Sequence, residues 1–212
     1  MELLRHSDAD GCARRAAALM ADPDIVHLAL AGGSTPQRAY ELLGALRSDW
    51  SGVQLWFGDE RCVPEGDEEA NHTMASRALQ APGADWHRIR GELGPDEAAA
   101  AYAEELAGVT LDLTLLGLGE DGHTASLFPR NAALDRDGLA VGVRGAPKPP
   151  PERVSLSLGL LNASRRIVLL VAGSGKRDAL ARVLAGPDAD LPASLLERDR
   201  LTIIADAAAL GE

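Results

Sequence analysis

The residues best suited to chemistry in this sequence are a histidine and the three glycines that precede it, directly after an apolar run. The run covers residues 111–116, and residues 117–123 then read Gly-Leu-Gly-Glu-Asp-Gly-His. An apolar run of this length is typical of a buried strand. A glycine turn at the start of a helix offers backbone N–H groups to an anion, and His123 would add an imidazole that can act as a base. The pattern therefore predicts the floor of an active site, at a point where the chain can turn into a helix.

A second glycine turn stands at the end of an earlier apolar run. Gly33, Ser34, Thr35 and Pro36 follow residues 25–31 and precede a helical pattern. Backbone N–H groups and two hydroxyls at such a place can hold a phosphate or a carboxylate. The same residues also suit simple capping, with Ser34 or Thr35 as the cap and Pro36 in the first turn. Both interpretations stay open at this point.

Charged residues directly follow the apolar run 53–57. Asp59 and Arg61 come after a single glycine, and Asn71 lies further along the chain. Arginine can bind phosphate through two parallel hydrogen bonds or stabilise a developing oxyanion. Asp59 could orient an imidazole or bind sugar hydroxyls. The alternative is a solvated loop, which the acidic residues after Arg61 resemble.

Two glycine patterns resemble nucleotide-binding motifs but fail in their details. Residues 173–176 read Gly-Ser-Gly-Lys, but Leu170 and Arg177 occupy positions where a P-loop needs glycine and a hydroxyl residue. A glycine turn with Lys176 at a helix start suits a single phosphate, although an exposed surface lysine is the alternative. Residues 117–122 match the dinucleotide pattern formally. There, Glu120 and Asp121 would face the pyrophosphate, so a nicotinamide cofactor is excluded.

Composition limits the classes of partner. The chain has 212 residues, 46% of them apolar, and a formal net charge of −11. This charge argues against nucleic-acid and anionic-membrane partners, and an anionic substrate would need a local cluster of basic groups. Cys12 and Cys62 are too few for a disulfide framework or a zinc site. No apolar run approaches the roughly 20 residues of a membrane span, and no signal peptide is visible, so the sequence predicts a cytoplasmic protein.

Apolar strand-like runs alternate with helical patterns along the chain. This alternation predicts a Rossmann-like α/β fold, with a mostly parallel sheet covered by helices on both faces. We expect a single domain over residues 1–212. Ligands of such sheets bind beyond the carboxyl ends of the strands, where all four glycine turns fall. The predicted strands are residues 25–31, 53–57, 111–116, 154–158, 167–171 and 201–205. The predicted helices are residues 8–20, 36–47, 71–79, 95–106 and 175–184.

Taken together, these segments resemble the 6-phosphogluconolactonase family. The matching segments occur in the family's order and cover most of the chain: residues 31–36, 58–64, 71–74, 117–129, 149–153 and 175–176. The resemblance implies the fold of glucosamine-6-phosphate deaminases and ribose-5-phosphate isomerases. It implies hydrolysis of 6-phospho-D-glucono-1,5-lactone in the oxidative pentose phosphate pathway, without a metal or an organic cofactor. The expected partner is this small sugar-phosphate lactone alone, bound by a monomer.

The resemblance also implies roles for individual residues. His123 would be the general base, Arg61 the stabiliser of the oxyanion, and Asp59 an active-site carboxylate. No serine lies in a Gly-x-Ser-x-Gly elbow, which favours direct attack by water over an acyl-enzyme. The related deaminases resemble the chain around His123 but differ over residues 125–129 and at the position of Arg61. The residues expected to bind substrate are Gly33, Ser34, Thr35, Asn71, Gly122, Thr124, Arg153 and Lys176.

Overall fold

The computed structural model describes residues 1–212 and contains ten strands and seven α-helices. The strands are β1 (Glu2–His6), β2 (His27–Leu30), β3 (Gln54–Phe57), β4 (Asp59–Arg61), β5 (Asp85–Trp86), β6 (Leu113–Gly117), β7 (Ala140–Val143), β8 (Arg153–Leu156), β9 (Arg166–Val171) and β10 (Leu201–Asp206). The helices are α1 (Ala9–Met20), α2 (Ser34–Leu46), α3 (Asn71–Ala78), α4 (Pro95–Glu105), α5 (Leu158–Ala163), α6 (Arg177–Ala185) and α7 (Ala207–Leu210).

The main sheet has seven strands in the order β1-β10-β9-β6-β2-β3-β5, and every neighbouring pair in it is parallel. This confirms the predicted α/β fold. Its central strands are buried apolar runs, as a sheet covered on both faces requires. The four glycine turns follow β9, β6, β2 and β3, which are consecutive in the sheet. They therefore lie at one edge, as the sequence predicts.

The second sheet was not predicted. It has three antiparallel strands in the order β4-β8-β7, and its β8 (Arg153–Leu156) corresponds to the strand that the apolar pattern predicts over residues 154–158. β4 consists of Asp59, Glu60 and Arg61, whose polarity gave no strand signal. Its register places Asp59 opposite Ser155 and Arg61 opposite Arg153. The tertiary pairing with β8 therefore overrides the local preference of β4 for a loop.

Three predicted helix starts are wrong, one of them that of α6, which begins at Arg177 rather than at Gly175. α2 begins at Ser34, not at Pro36; its cap is Gly33, with φ of 109°, and no side chain caps it. A positive φ of this kind suits glycine, which has no Cβ to clash. Residues 118–131 contain no helix, so His123 lies in a loop, because the chain there turns back through a Thr124–Leu127 bridge. None of the helices is long and apolar enough to cross a bilayer.

Candidate active site

A cavity of about 400 Å³ opens at the carboxyl ends of the four central strands. It brings together segments that are far apart in the sequence, including the turns after β2, β6 and β9, and the small sheet. Nine of the eleven predicted site residues line it: Gly33, Ser34, Thr35, Asp59, Arg61, Asn71, His123, Arg153 and Lys176. Its basic groups provide the local positive charge that an anionic ligand needs in a chain of net charge −11.

The imidazole of His123 is held in one orientation. Its Nδ1 lies 2.6 Å from Oδ1 of Asp121, and its backbone N–H donates to the same oxygen at 3.2 Å. A carboxylate only accepts, so the neutral imidazole must carry its proton on Nδ1. The ring also packs against Phe128, with the centroids 4.5 Å apart. Nε2 is therefore the nitrogen that remains available as a base.

Asp121 was missed as a functional residue. Partial burial opposes its ionisation, but the charge of His123 and hydrogen bonds from that residue hold the pKa of Asp121 below its usual range. A charged carboxylate beside the ring stabilises the imidazolium form of His123. The spacing Asp-x-His in a glycine-rich loop is the sequence signal that could have revealed this pair. The suggestion that Asp59 orients the imidazole is corrected, because Asp121 occupies that place.

Arg61 presents an unused hydrogen-bond donor inside the protein. Its NH1 group donates to the carbonyl of Glu69 at 2.6 Å, while its buried Nε has no partner. A buried N–H without an acceptor destabilises a protein, and the residue that carries it here also lines the cavity. Arg153 stands directly opposite on β8, and like charges at such positions repel.

Asp59 is fixed from two sides in the wall of the cavity. Its Oδ2 accepts a hydrogen bond from Ser126 Oγ at 2.6 Å, and its Oδ1 accepts one from Asn71 Nδ2 at 3.1 Å. Asn71 Nδ2 also donates to the Asp59 carbonyl at 2.9 Å. Asn71 thus ties the start of α3 to β4 in addition to lining the cavity. The carboxylate is buried and held in place, as a group that positions a substrate should be.

Glu60 fixes the same region from the opposite side of β4. Its carboxylate accepts backbone hydrogen bonds from Arg61 and Asn71 through Oε1 and from His72 through Oε2. Burial raises the pKa of Glu60 to about 7, and these hydrogen bonds act in the opposite direction. Glu60 therefore supplies the N-terminal acceptor that α3 lacks in its own cap residue, and it locks Arg61 to that helix.

The N-terminus of α2 and the turn that carries Lys176 are both suited to binding an anion. Ser34 and Thr35 occupy the first turn of α2 and line the cavity, and neither caps the helix. This geometry favours anion binding over the capping alternative. Lys176 lies in a turn whose start is anchored, because Gly173 N–H donates to both carboxylate oxygens of Asp206 at 3.0 Å.

Arg153 lines the cavity and also donates hydrogen bonds to the backbone of the proline-rich segment. Its Nε donates to the carbonyl of Pro150 at 3.1 Å, and its NH2 group donates to the carbonyls of Lys148 and Pro149 at 3.0 and 3.2 Å. Its guanidinium carbon lies 5.7 Å from the ring centroid of Phe128. Burial and the charge of Arg61 lower the pKa of Arg153. Arg153 therefore holds the proline-rich segment 145–151 against the cavity.

Gly122 and Thr124, predicted to bind substrate, do not line the cavity. Thr124 is fully buried, and its hydroxyl donates to the carbonyl of Gly117 at 2.9 Å. Gly122 has φ of 87°, and a Cβ there would lie 1.9 Å from Leu191 Cδ1. In this geometry both residues shape the loop that carries His123.

The fold and the cavity define an α/β enzyme whose site suits a small anionic ligand. The family model for glucosamine-6-phosphate isomerases and 6-phosphogluconolactonase matches residues 2–204. A 6-phosphogluconolactonase of Streptomyces coelicolor is 43% identical over 158 residues, which cover 65% of this chain and 60% of that relative. One from Haemophilus influenzae is 37% identical over 179 residues, covering 79% of this chain and 77% of that protein.

A solved structure of 6-phosphogluconolactonase from Leishmania guyanensis superposes with a TM-score of 0.81 at 30% identity, covering 98% of this chain and 97% of that one. The chain belongs to the family of glucosamine-6-phosphate isomerases and 6-phosphogluconolactonases. The family description includes two activities, so the choice between them depends on the site.

Proposed function

We propose that the protein hydrolyses 6-phospho-D-glucono-1,5-lactone to 6-phospho-D-gluconate. The observation that carries this proposal is that His123, oriented by Asp121, and Arg61 line the same cavity. Ester hydrolysis by water needs a base and a donor for the oxyanion, and these two groups supply them. The similarity to named 6-phosphogluconolactonases supports the same choice.

In the proposed first step, water attacks the lactone carbonyl while Nε2 of His123 takes one of its protons. The charge of Asp121 stabilises the imidazolium that forms. The carbonyl electron pair moves to the oxygen, and this tetrahedral oxyanion accepts a hydrogen bond from Arg61. The C–O bond to the ring oxygen then breaks, and the imidazolium returns its proton to that oxygen. No covalent enzyme intermediate is needed.

The remaining cavity residues would hold the sugar phosphate. We assign the phosphoryl group to the α2 N-terminus, with Gly33, Ser34 and Thr35, and to Lys176. Asp59 would accept hydrogen bonds from sugar hydroxyls, since its fixed carboxylate lines the same cavity.

The single domain, the monomeric state and the cytoplasmic location stay predictions.

The activity itself is tested by comparing two substrates of the family. We expect added protein to accelerate decay of the phospholactone well above its spontaneous rate, measured by proton release. We expect no ammonium from glucosamine 6-phosphate under the same conditions. Ammonium release without lactone hydrolysis would assign the chain to the isomerase branch. Tight binding of 6-phosphogluconate with an unchanged lactone decay rate would indicate a sensor.

Asp121→Asn tests the orienting carboxylate. An amide can present either its oxygen or its NH2 group to Nδ1, so the imidazole loses both its fixed tautomer and the stabilising charge. We expect kcat to fall about 10²-fold with little change in KM, measured by steady-state kinetics.

The matched control for this variant is Glu120→Gln, which removes a charge from the neighbouring exposed residue of the same loop. It should keep nearly the original kcat. Equal losses in the two variants would mean that loop charge, rather than the contact with His123, accounts for the effect.

A further inference from the structure

The distribution of lysine in this chain is uneven. Of its 21 basic residues, only Lys148 and Lys176 are lysines, and both line the cavity. Every basic residue elsewhere on the protein is an arginine. Arg61 and Arg153 line the cavity as well, but lysine differs from arginine in shape and flexibility, and its confinement to the cavity points to a function for the two lysines. Lys176 already has such a function in the proposed site, and Lys148 does not.

Lys148 combines a fixed backbone with an unpaired charge. Its carbonyl accepts a hydrogen bond from Arg153, and the same guanidinium holds the carbonyls of Pro149 and Pro150. The ends of the segment meet through Ala146 N–H, which donates to Pro151 at 3.0 Å. Its side chain is exposed and forms no ion pair, whereas many surface arginines pair with carboxylates.

We propose that Lys148 is a substrate-binding residue whose ammonium group contacts the phosphoryl group of the bound sugar phosphate. The inference rests on the proposed function. The phosphoryl group carries about −1.5 to −2 charges at neutral pH, whereas the lactone end of the substrate is neutral before reaction. The net charge of −11 repels such an anion, so the ammonium group of Lys148, in addition to that of Lys176 in the same cavity, offsets that repulsion locally.

Lysine suits this position better than arginine does. The proline-rich segment is stiff, and Arg153 holds its backbone, so a flexible four-carbon side chain must cover the distance to the ligand. The ammonium group of lysine can follow the phosphoryl group as the lactone ring opens, whereas the planar guanidinium of arginine would require one geometry. Arg153 then acts partly through Lys148, as a residue that positions the segment.

The kinetic test compares Lys148→Met with three other variants. We expect Lys148→Met to raise KM about tenfold and to change kcat less than about twofold, because the contact is remote from the reacting carbon. Lys176→Met should show the same pattern. Lys148→Arg, which keeps the charge but not the flexible point charge of lysine, should recover only part of the affinity. The control Arg15→Gln removes one exposed, unpaired positive charge far from the cavity and should behave as the original protein. Equal KM values for Lys148→Met and Arg15→Gln would overturn the proposal.

The two-lysine composition permits a second test without turnover. Lys148, Lys176 and the Met1 amine are the primary amines of this sequence, so stable amide adducts of an acylating reagent report on them in mass spectrometry, with Met1 as an internal reference. We expect 6-phosphogluconate and glucitol 6-phosphate to protect both lysines and to leave Met1 reactive. Gluconate, which keeps the carboxylate but lacks the phosphoryl group, should not protect Lys148.

The outcomes separate this inference from the proposed function. Protection of Lys148 by gluconate but not by glucitol 6-phosphate would place its contact at the carboxylate and reject the phosphoryl assignment. Lactone hydrolysis by the original protein, with Lys148 labelled equally in all ligands, would reject a role in binding. Absence of lactone hydrolysis would reject the proposed function, while the labelling pattern would still report whether Lys148 contacts a phosphoryl group.

Discussion

Replacing His123 with glutamine is expected to lower kcat for the proposed lactone hydrolysis by about 10³-fold, within the range that general acid–base catalysis contributes. Glutamine keeps a polar side chain of similar length but cannot take a proton from water. The loss is expected because Nε2 of His123 is the proposed base, and contacts with Asp121 and Phe128 hold the imidazole in position. Steady-state kinetics with the phospholactone, corrected for its spontaneous decay, measures the effect.

Affinity for the product distinguishes a lost base from a damaged site. Calorimetric binding of 6-phosphogluconate to the His123→Gln variant should stay close to that of the original protein, since the phosphoryl contacts lie elsewhere. His6→Gln is the control, because His6 ends an edge strand outside the cavity. Turnover by His123→Gln at the original rate would mean that another group removes the proton.

Arg61→Met is expected to reduce kcat by about 10²- to 10³-fold, the usual cost of removing one oxyanion donor. The free energy of unfolding should change by no more than about 1 kcal/mol. The loss of the hydrogen bond to Glu69 is offset, since the variant also removes the unpartnered Nε and the repulsion between Arg61 and Arg153. Kinetics and urea denaturation of one preparation measure both quantities.

Arg61→Lys separates charge from geometry in the same assay. Lysine restores the positive charge but not the planar guanidinium with its fixed N–H donors, so it should recover only part of kcat. A variant that loses activity and stability together would indicate that Arg61 supports the fold rather than the reaction.

The central strands of the main sheet could be predicted because they are apolar on both faces, and the glycine turns after β2, β3, β6 and β9 marked the ligand-binding edge. The edge strands β1 and β5 were not predicted, because they contain no buried residue and lack an apolar run. β4 could not be predicted, because Asp59 and Glu60 are buried only through pairing with β8 and contacts with α3. Such long-range pairing leaves no periodic signal in a three-residue segment.

In the candidate site, too, some residues could be located from the sequence and others could not. Residues at strand ends, such as His123 and Lys176, could be located from the order of elements alone. The role of Asp121 depends on how the loop folds back on itself, and the roles of Gly122 and Thr124 depend on neighbours that the local sequence does not reveal. A motif thus identified the loop correctly, but it did not separate residues that face the cavity from those that shape the loop.

The contact between Gly122 and Leu191 has a consequence for how the sequence can change over time. Leu191 fills the space that a side chain at position 122 would need, and Gly122 O accepts a hydrogen bond from Ala193 N–H at 3.0 Å. A larger residue at either place needs a smaller one at the other. The turn around Leu191, although it does not line the cavity, is therefore expected to accept mutations only in step with the histidine loop.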